Sequence, residues 1–113
     1  MAILDREREA GGLVVQLEQE GERVVVRAWG DLDLSSAKEF ETKLREAIQA
    51  SPSGVILDLG GVTFIDSIGL RVLTVAATLS HAGWREFSVL RASVQVRQVI
   101  EASGVEDLLP LVD

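Results

Sequence analysis

The sequence predicts one α/β domain, with a mixed central β-sheet of four to five strands and helices packed on it. Three observations lead there. Apolar residues alternate as in strands in two early segments, a nearly continuous apolar run lies mid-chain, and amphipathic helical stripes alternate with the later strands. Strands alternating with helices imply crossovers and a partly parallel sheet. At 113 residues the chain has the length of one domain, enough to bury roughly two-thirds of the surface that its unfolded form exposes.

The elements follow in order. Residues 1–12, MAILDREREAGG, are mostly polar and read as a flexible N-terminal arm. Leu13, Val15 and Leu17 then alternate with Val14, Gln16 and Glu18, and after Glu20-Gly21-Glu22 the alternation resumes with Val24, Val26 and Ala28. Two such runs joined by a glycine-containing turn predict a hairpin. Trp29 alternates away from that apolar set, onto the opposite sheet face. Gly30-Asp31-Leu32-Asp33 reads as a turn. Ser36-Ala37-Lys38-Glu39 has capping-box spacing, and Ala37, Phe40, Leu44, Ala47 and Ile48 form a helical stripe behind it. Ser51-Pro52-Ser53-Gly54 stops that helix. Val55 to Leu59 reads as a strand covered on both faces, and Gly60-Gly61 as a tight turn at its end. A second helix runs from Asp66-Ser67 to near Gly83, with Leu70, Leu73, Ala76 and Ala77 inward. Phe87 to Leu90 gives a fourth strand. Ser93 caps a third helix that buries Val96, Val99 and Ile100 and stops at Gly104. The order is β-β-α-β-α-β-α.

Composition removes several function classes. There is no cysteine and one histidine, so thiol nucleophiles, disulfides and Cys- or multi-His metal sites are excluded. A net charge of −7 argues against a nucleic-acid surface and against an anionic membrane as partner. No stretch approaches the roughly 20 apolar residues that span a bilayer. The charged N-terminus lacks the apolar core of a signal peptide, so a cytoplasmic location is expected.

Val55 to Leu70, VILDLGGVTFIDSIGL, is the most informative segment. A buried strand leads through two glycines to Ser67 at a helix start, where the serine is suited to N-cap the helix. Such a start also presents free amides and the positive end of the helix dipole, which favour an anion. A hydroxyl there can carry a phosphate without unwinding the helix, although the Asp66 carboxylate would oppose it. From spacing alone the cap is the favoured role. The segment argues against a hydrolytic nucleophile, because Ile65 stands where the elbow motif needs glycine and His81 is about 20 Å down the same helix. Gly60-Gly61 has no Gly-Lys-Ser/Thr after it and is no phosphate loop. Asp31 and Asp33 lack the further oxygen ligands of a calcium loop and read as turn and helix-start residues. No enzyme activity, metal or cofactor is expected.

GDLDLSSAKEFETKL (Gly30 to Leu44), VILDLGGVTFIDSIGLRVL (Val55 to Leu73) and VRQVIEASGVEDLLPL (Val96 to Leu111) resemble successive signatures of STAS domains. The family name joins sulfate transporters and anti-sigma factor antagonists. The resemblance spans residues 13–113, and its most specific part is Asp-Ser-x-Gly-Leu after a buried strand. A free-standing domain of this length is most similar to the bacterial antagonists. The resemblance then implies that Ser67 is phosphorylated by an anti-sigma factor serine kinase. It also implies that the unmodified protein binds that kinase and frees the sigma factor, and that a phosphatase acting on phosphorylated Ser67 restores binding. Asp66, Ser67, Ile68 and Gly69 become candidate partner-binding residues, joined by Asp31 and Asp33, whose turn lies beside the serine loop in this fold. A scaffold or transporter-accessory STAS domain without sigma-factor control is the alternative. Two features depart from the family pattern. Ile68 replaces a frequent Ser or Thr, leaving Ser67 the sole acceptor in the motif, and Arg91-Ala92-Ser93 lacks a common proline.

Overall fold

The computed structural model describes the backbone of residues 2–10, and residues 12–83, 85–105 and 107–112 in full. Trp84 lies outside the described residues. Among the described residues one sheet holds six strands in sequence order. They are β1 (Ala2–Ala10), β2 (Leu13–Glu20), β3 (Arg23–Leu32), β4 (Gly54–Ile65), β5 (Glu86–Leu90) and β6 (Leu111–Val112). β1, β2 and β3 pair antiparallel, and β3 through β6 pair parallel. The parallel pairs are joined by α1 (Leu34–Ala50), α2 (Ser67–Ala82) and α3 (Val94–Ala102).

The architecture is therefore the expected α/β one, with two strands more than the β-β-α-β-α-β-α order contains. β1 is formed from residues expected as a loose arm. Its sequence carries no alternation, so the strand is defined by backbone pairing along the free edge of β2, with register shifts between Ile3 and Asp5 and between Asp5 and Arg8. β6 is two residues, too short for a periodicity, and is set by pairing Leu111 with Val89 and Val112 with Leu90.

The alternating residues supply the core. Leu13, Val15, Leu17, Val24, Val26, Ala28, Val55, Leu57 and Leu59 are buried against Phe40, Leu44 and Ala47 of α1 and Leu73, Ala76 and Ala77 of α2. Val96 and Ile100 bring α3 into the same cluster. Burying a side chain of this size contributes about 1.5–3 kcal/mol, which makes the sheet-facing stripe of each helix its main source of stability.

The other face of the sheet carries Arg27, which pairs with Glu18 on β2 and lies 3.7 Å from the Asp58 carboxylate on β4. Asp58 is buried and also accepts a hydrogen bond from the Gly60 amide at 2.9 Å. Trp29 shares this face and is partly exposed.

Two sequence expectations change on β3 and β4, for one reason. Gly60-Gly61 is no turn, and Gly30-Asp31-Leu32 is no turn; both segments continue their strands. The β3–β4 register shifts between Arg27 and Trp29 and again between Gly30 and Asp31, each time with an extra residue on β4. These are bulges, which let a strand bend without ending. Gly61 makes the first possible. A Cβ built on it would stand 2.7 Å from Cγ of the Trp29 ring, inside any tolerable contact.

Gly61→Ala is expected to cost about 1–3 kcal/mol, the usual range for overpacking. Urea unfolding should show a lower midpoint at an unchanged slope. In a Trp29→Ala background the same substitution should cost much less. An unchanged midpoint in Gly61→Ala alone would show that the ring is not seated on the glycine.

Candidate functional site

β3 and β4 end side by side. Leu32 pairs with Ile65, and the Asp66 amide donates to the Leu32 carbonyl at 3.2 Å. Each strand then passes directly into a helix, so the starts of α1 and α2 lie together at the carboxyl edge of the parallel strands. Open α/β sheets place their sites at this edge.

Both helices are capped by aspartate. Asp33 caps α1, accepting from the Ser35 amide at 3.0 Å and the Ser35 hydroxyl at 2.7 Å. Ser36, expected as the cap, is the third helical residue. Its hydroxyl accepts from the Asp33 amide at 3.1 Å and donates to the Asp31 carbonyl at 2.9 Å. The capping box is thus present three residues earlier than its sequence spacing suggests, because aspartate serves as well as serine at a cap. The Ser35 hydroxyl, with help from the Ser35 and Ser36 amides and against desolvation, holds the Asp33 carboxyl below its ordinary value of 3.8. A lowered folded value means that its stabilisation is complete above 3.8 and lost as pH falls through the folded value.

Asp66 caps α2 by accepting from the Gly69 amide at 2.8 Å. Ser67, read from spacing as the cap, is instead the first helical residue. It is exposed, and its hydroxyl makes no hydrogen bond with a described residue. The contrast with nearby serines is informative. Ser35 is bonded to Asp33, Ser36 is fully buried, and Ser93 caps α3 by accepting from the Val96 amide at 3.3 Å.

The remaining residues sort by exposure. Asp31 is exposed, with its carboxylate accepting from the Thr63 hydroxyl at 3.2 Å. Asp33 and Asp66 line one surface pocket together with Leu34, Ser35 and Phe64. Ile68 is 38% exposed. Gly69 is buried, unlike the surface residues with which the sequence groups it. A Cβ there would stand 2.8 Å from Cγ of Leu32, so its role is to let α2 close on β3. Two site residues escape sequence reading altogether. Phe64 is 51% exposed and Leu34 is 72% exposed. The first hides in an apolar VTFI run whose bulge breaks the alternation, and the second sits inside a segment read as the approach to Ser36. Exposed Leu34 and Phe64 thus share a pocket with the Asp33 and Asp66 carboxylates, and Leu34 and Ile68 share the neighbouring groove between α1 and α2, both beside the helix start that carries Ser67.

Comparison with known proteins places this arrangement. Residues 14–113 match the family model for the STAS domain, and the chain belongs to that family. Anti-sigma-F factor antagonist RsfB of Mycobacterium tuberculosis is 30% identical over 83 residues, which are 73% of this chain and 66% of RsfB. The chain thus spans just under two-thirds of that relative's length. An anti-sigma factor antagonist from Mycobacterium paratuberculosis shares the fold, with a TM-score of 0.76 at 22% identity over 91% of this chain and 87% of that one. The Bacillus cell fate determinant SpoIIAA, solved in its phosphorylated form, is 26% identical with a TM-score of 0.69, covering 88% of this chain and 91% of SpoIIAA.

The cap assignment has a direct consequence. Asp66→Ala should destabilise the fold by about 1 kcal/mol, whereas Asp66→Asn should retain most of the cap. Ser67→Ala should change stability by less than about 0.5 kcal/mol, as for a surface substitution away from caps. Thermal or urea unfolding of the three variants checks both statements. The reverse order of effects would return the cap to Ser67.

Proposed function

We propose that this protein is an anti-sigma factor antagonist that binds an anti-sigma factor serine kinase, frees the sigma factor and is switched off by phosphorylation of Ser67. A phosphatase acting on phosphorylated Ser67 resets it. One observation carries this reading: an exposed serine at the first position of α2, between Asp66 and the exposed Ile68, whose hydroxyl has no hydrogen bond among the described residues. The names of its relatives and the phosphorylated SpoIIAA support it.

The chemistry falls to the partner. The Ser67 oxygen forms a bond to the terminal phosphorus of a nucleotide held by the kinase, the bond to ADP breaks, and the hydroxyl proton leaves to a base on the kinase. The Asp66 carboxylate is engaged on Gly69, and His81 lies in the last turn of α2. The chain's contribution is presentation, since Ser67 is held on a capped helix and needs no rearrangement to be reached.

The switch is electrostatic. A phosphate adds about −1.5 to −2 charge at pH 7 beside Asp66, in a patch that already holds Asp33 and Asp31. An apolar rim docks by shedding water, and desolvating a mismatched charge costs about 2–5 kcal/mol, a loss of 30-fold or more in affinity. The fold bears the added charge because the caps and the core hydrogen bonds do not involve the Ser67 hydroxyl.

Treatment with ATP and the anti-sigma kinase should add one phosphate at Ser67 by mass spectrometry, and Ser67→Ala should abolish it. Phosphate on Ser35, Ser36 or Ser93 instead would refute the assignment. By calorimetry, Ser67→Ala should bind the kinase as wild type does and Ser67→Asp at least several-fold more weakly; equal affinities would remove charge at this position as the control.

On this reading Asp31 and Asp33 belong to the edge of the same docking surface. Asp31 caps no helix, so Asp31→Lys should slow kinase binding or phosphorylation while leaving the unfolding midpoint nearly unchanged. Asp33→Lys should do the same beyond what its lost cap explains. Unchanged rates in both variants would leave the pair as turn and cap residues only.

A further inference from the structure

We propose that Arg71 is the receptor within this chain for a phosphoryl group on Ser67. The guanidinium one turn further along α2 closes on the phosphate as an ion pair, so the modified state carries its own counter-ion. The proposal rests on the reading of Ser67 as the acceptor and adds a second component to the switch.

The spacing comes first. Ser67 and Arg71 stand at i and i+4 on α2, the separation at which helical side chains are neighbours. The Cα–Cβ bond of a helical residue is tilted toward the helix N-terminus, which puts the turn that holds Ser67 within reach of Arg71. An anion N-terminal to its cation is the favoured orientation for such a pair. Both residues are exposed.

Availability comes second. Arg71 makes no ion pair with a described residue, and it lines the groove between α1 and α2 together with Ile68, Lys38 and Glu41. Glu41, the acid across that groove, is engaged by Arg45 at 3.2 Å. The amides that would otherwise receive the phosphate are partly spent. The Gly69 amide is held by the Asp66 carboxylate at 2.8 Å, and the Leu70 amide donates to the Asp66 carbonyl at 2.9 Å. Asp66 and, across the pocket, Asp33 add negative charge that a phosphate must offset. A planar guanidinium, which binds phosphate oxygens bidentately, matches that need better than Lys38 on the opposite helix.

The consequence is a groove that changes twice on phosphorylation. A negative group is added at its mouth, and Arg71 is withdrawn from the surface that a partner meets. Part of the phosphate charge is neutralised locally, which also lets the fold carry it beside Asp66.

The test needs no kinase. Phosphoserine is installed at position 67 during translation of the full chain, and its ionisation is followed by phosphorus NMR against pH. A nearby cation favours the dianion, so the midpoint in the wild-type chain should lie below that in Arg71→Gln by roughly 0.3 pH unit or more. Arg71→Lys should recover part of the shift, and Lys38→Gln should leave it in place. Equal midpoints in wild type and Arg71→Gln would overturn the proposal, as would a shift lost in Lys38→Gln rather than in Arg71→Gln. Because the phosphate is placed synthetically, a failure here is distinct from a failure of the kinase to modify Ser67.

Discussion

The structure turns on the register with which β3 and β4 end. Two extra residues on β4, taken up as bulges opposite β3, bring Ile65 level with Leu32 and let the Asp66 amide reach the Leu32 carbonyl. From that pairing both helices begin at one edge, each with an aspartate at its cap. A slip of one residue would turn every β4 side chain to the wrong face and carry the Asp66 amide away from the Leu32 carbonyl. Trp29 over Gly61, Gly69 against Leu32 and the apolar stripe of the core all presuppose the same register.

This constraint divides the polar groups at the edge into committed and uncommitted ones. Asp33, Ser36 and Asp66 satisfy backbone donors that a helix start would otherwise leave unpaired, and the Ser35 hydroxyl donates to the Asp33 carboxylate. Ser67 and Arg71 have no such duty. A group free of structural duty can change charge without unfolding anything, which is what a reversible covalent switch requires. The Glu18–Arg27–Asp58 ladder is the contrasting case, since Asp58 is buried and its pairing cannot be disturbed without leaving a desolvated carboxylate in the sheet.

The core and the helices were legible because their signals are periodic. Leu13 to Leu17, Val24 to Ala28 and the stripe from Phe40 to Ile48 each repeat at the spacing of their element, and burial follows that spacing. Ser93 as the cap of α3 was legible from residue type and position. Gly60-Gly61 was misread because a glycine pair has the same composition in a turn as in a bulge, and only the partner strand tells them apart. Ser36 and Ser67 were each placed at a cap held by an aspartate upstream, since residue preference at caps does not rank aspartate below serine. β1 carries no apolar alternation, and its pairing with β2 is a relation between backbones. At the site, the motif located Ser67, but the exposure of Phe64 and Leu34 depends on where the bulged strand and the first helical turn point their side chains.

The central claim is that the paired helix starts form the surface on which the partner docks. The most direct measurement is to titrate the unlabelled anti-sigma kinase into the isotopically labelled full chain and follow every backbone amide by NMR. The account predicts broadening concentrated at Asp31 to Ser35 and Phe64 to Arg71, and its disappearance once Ser67 carries phosphate. Broadening centred on Val25, Arg27 and Asp58 on the other face of the sheet, or persisting after phosphorylation, would contradict it.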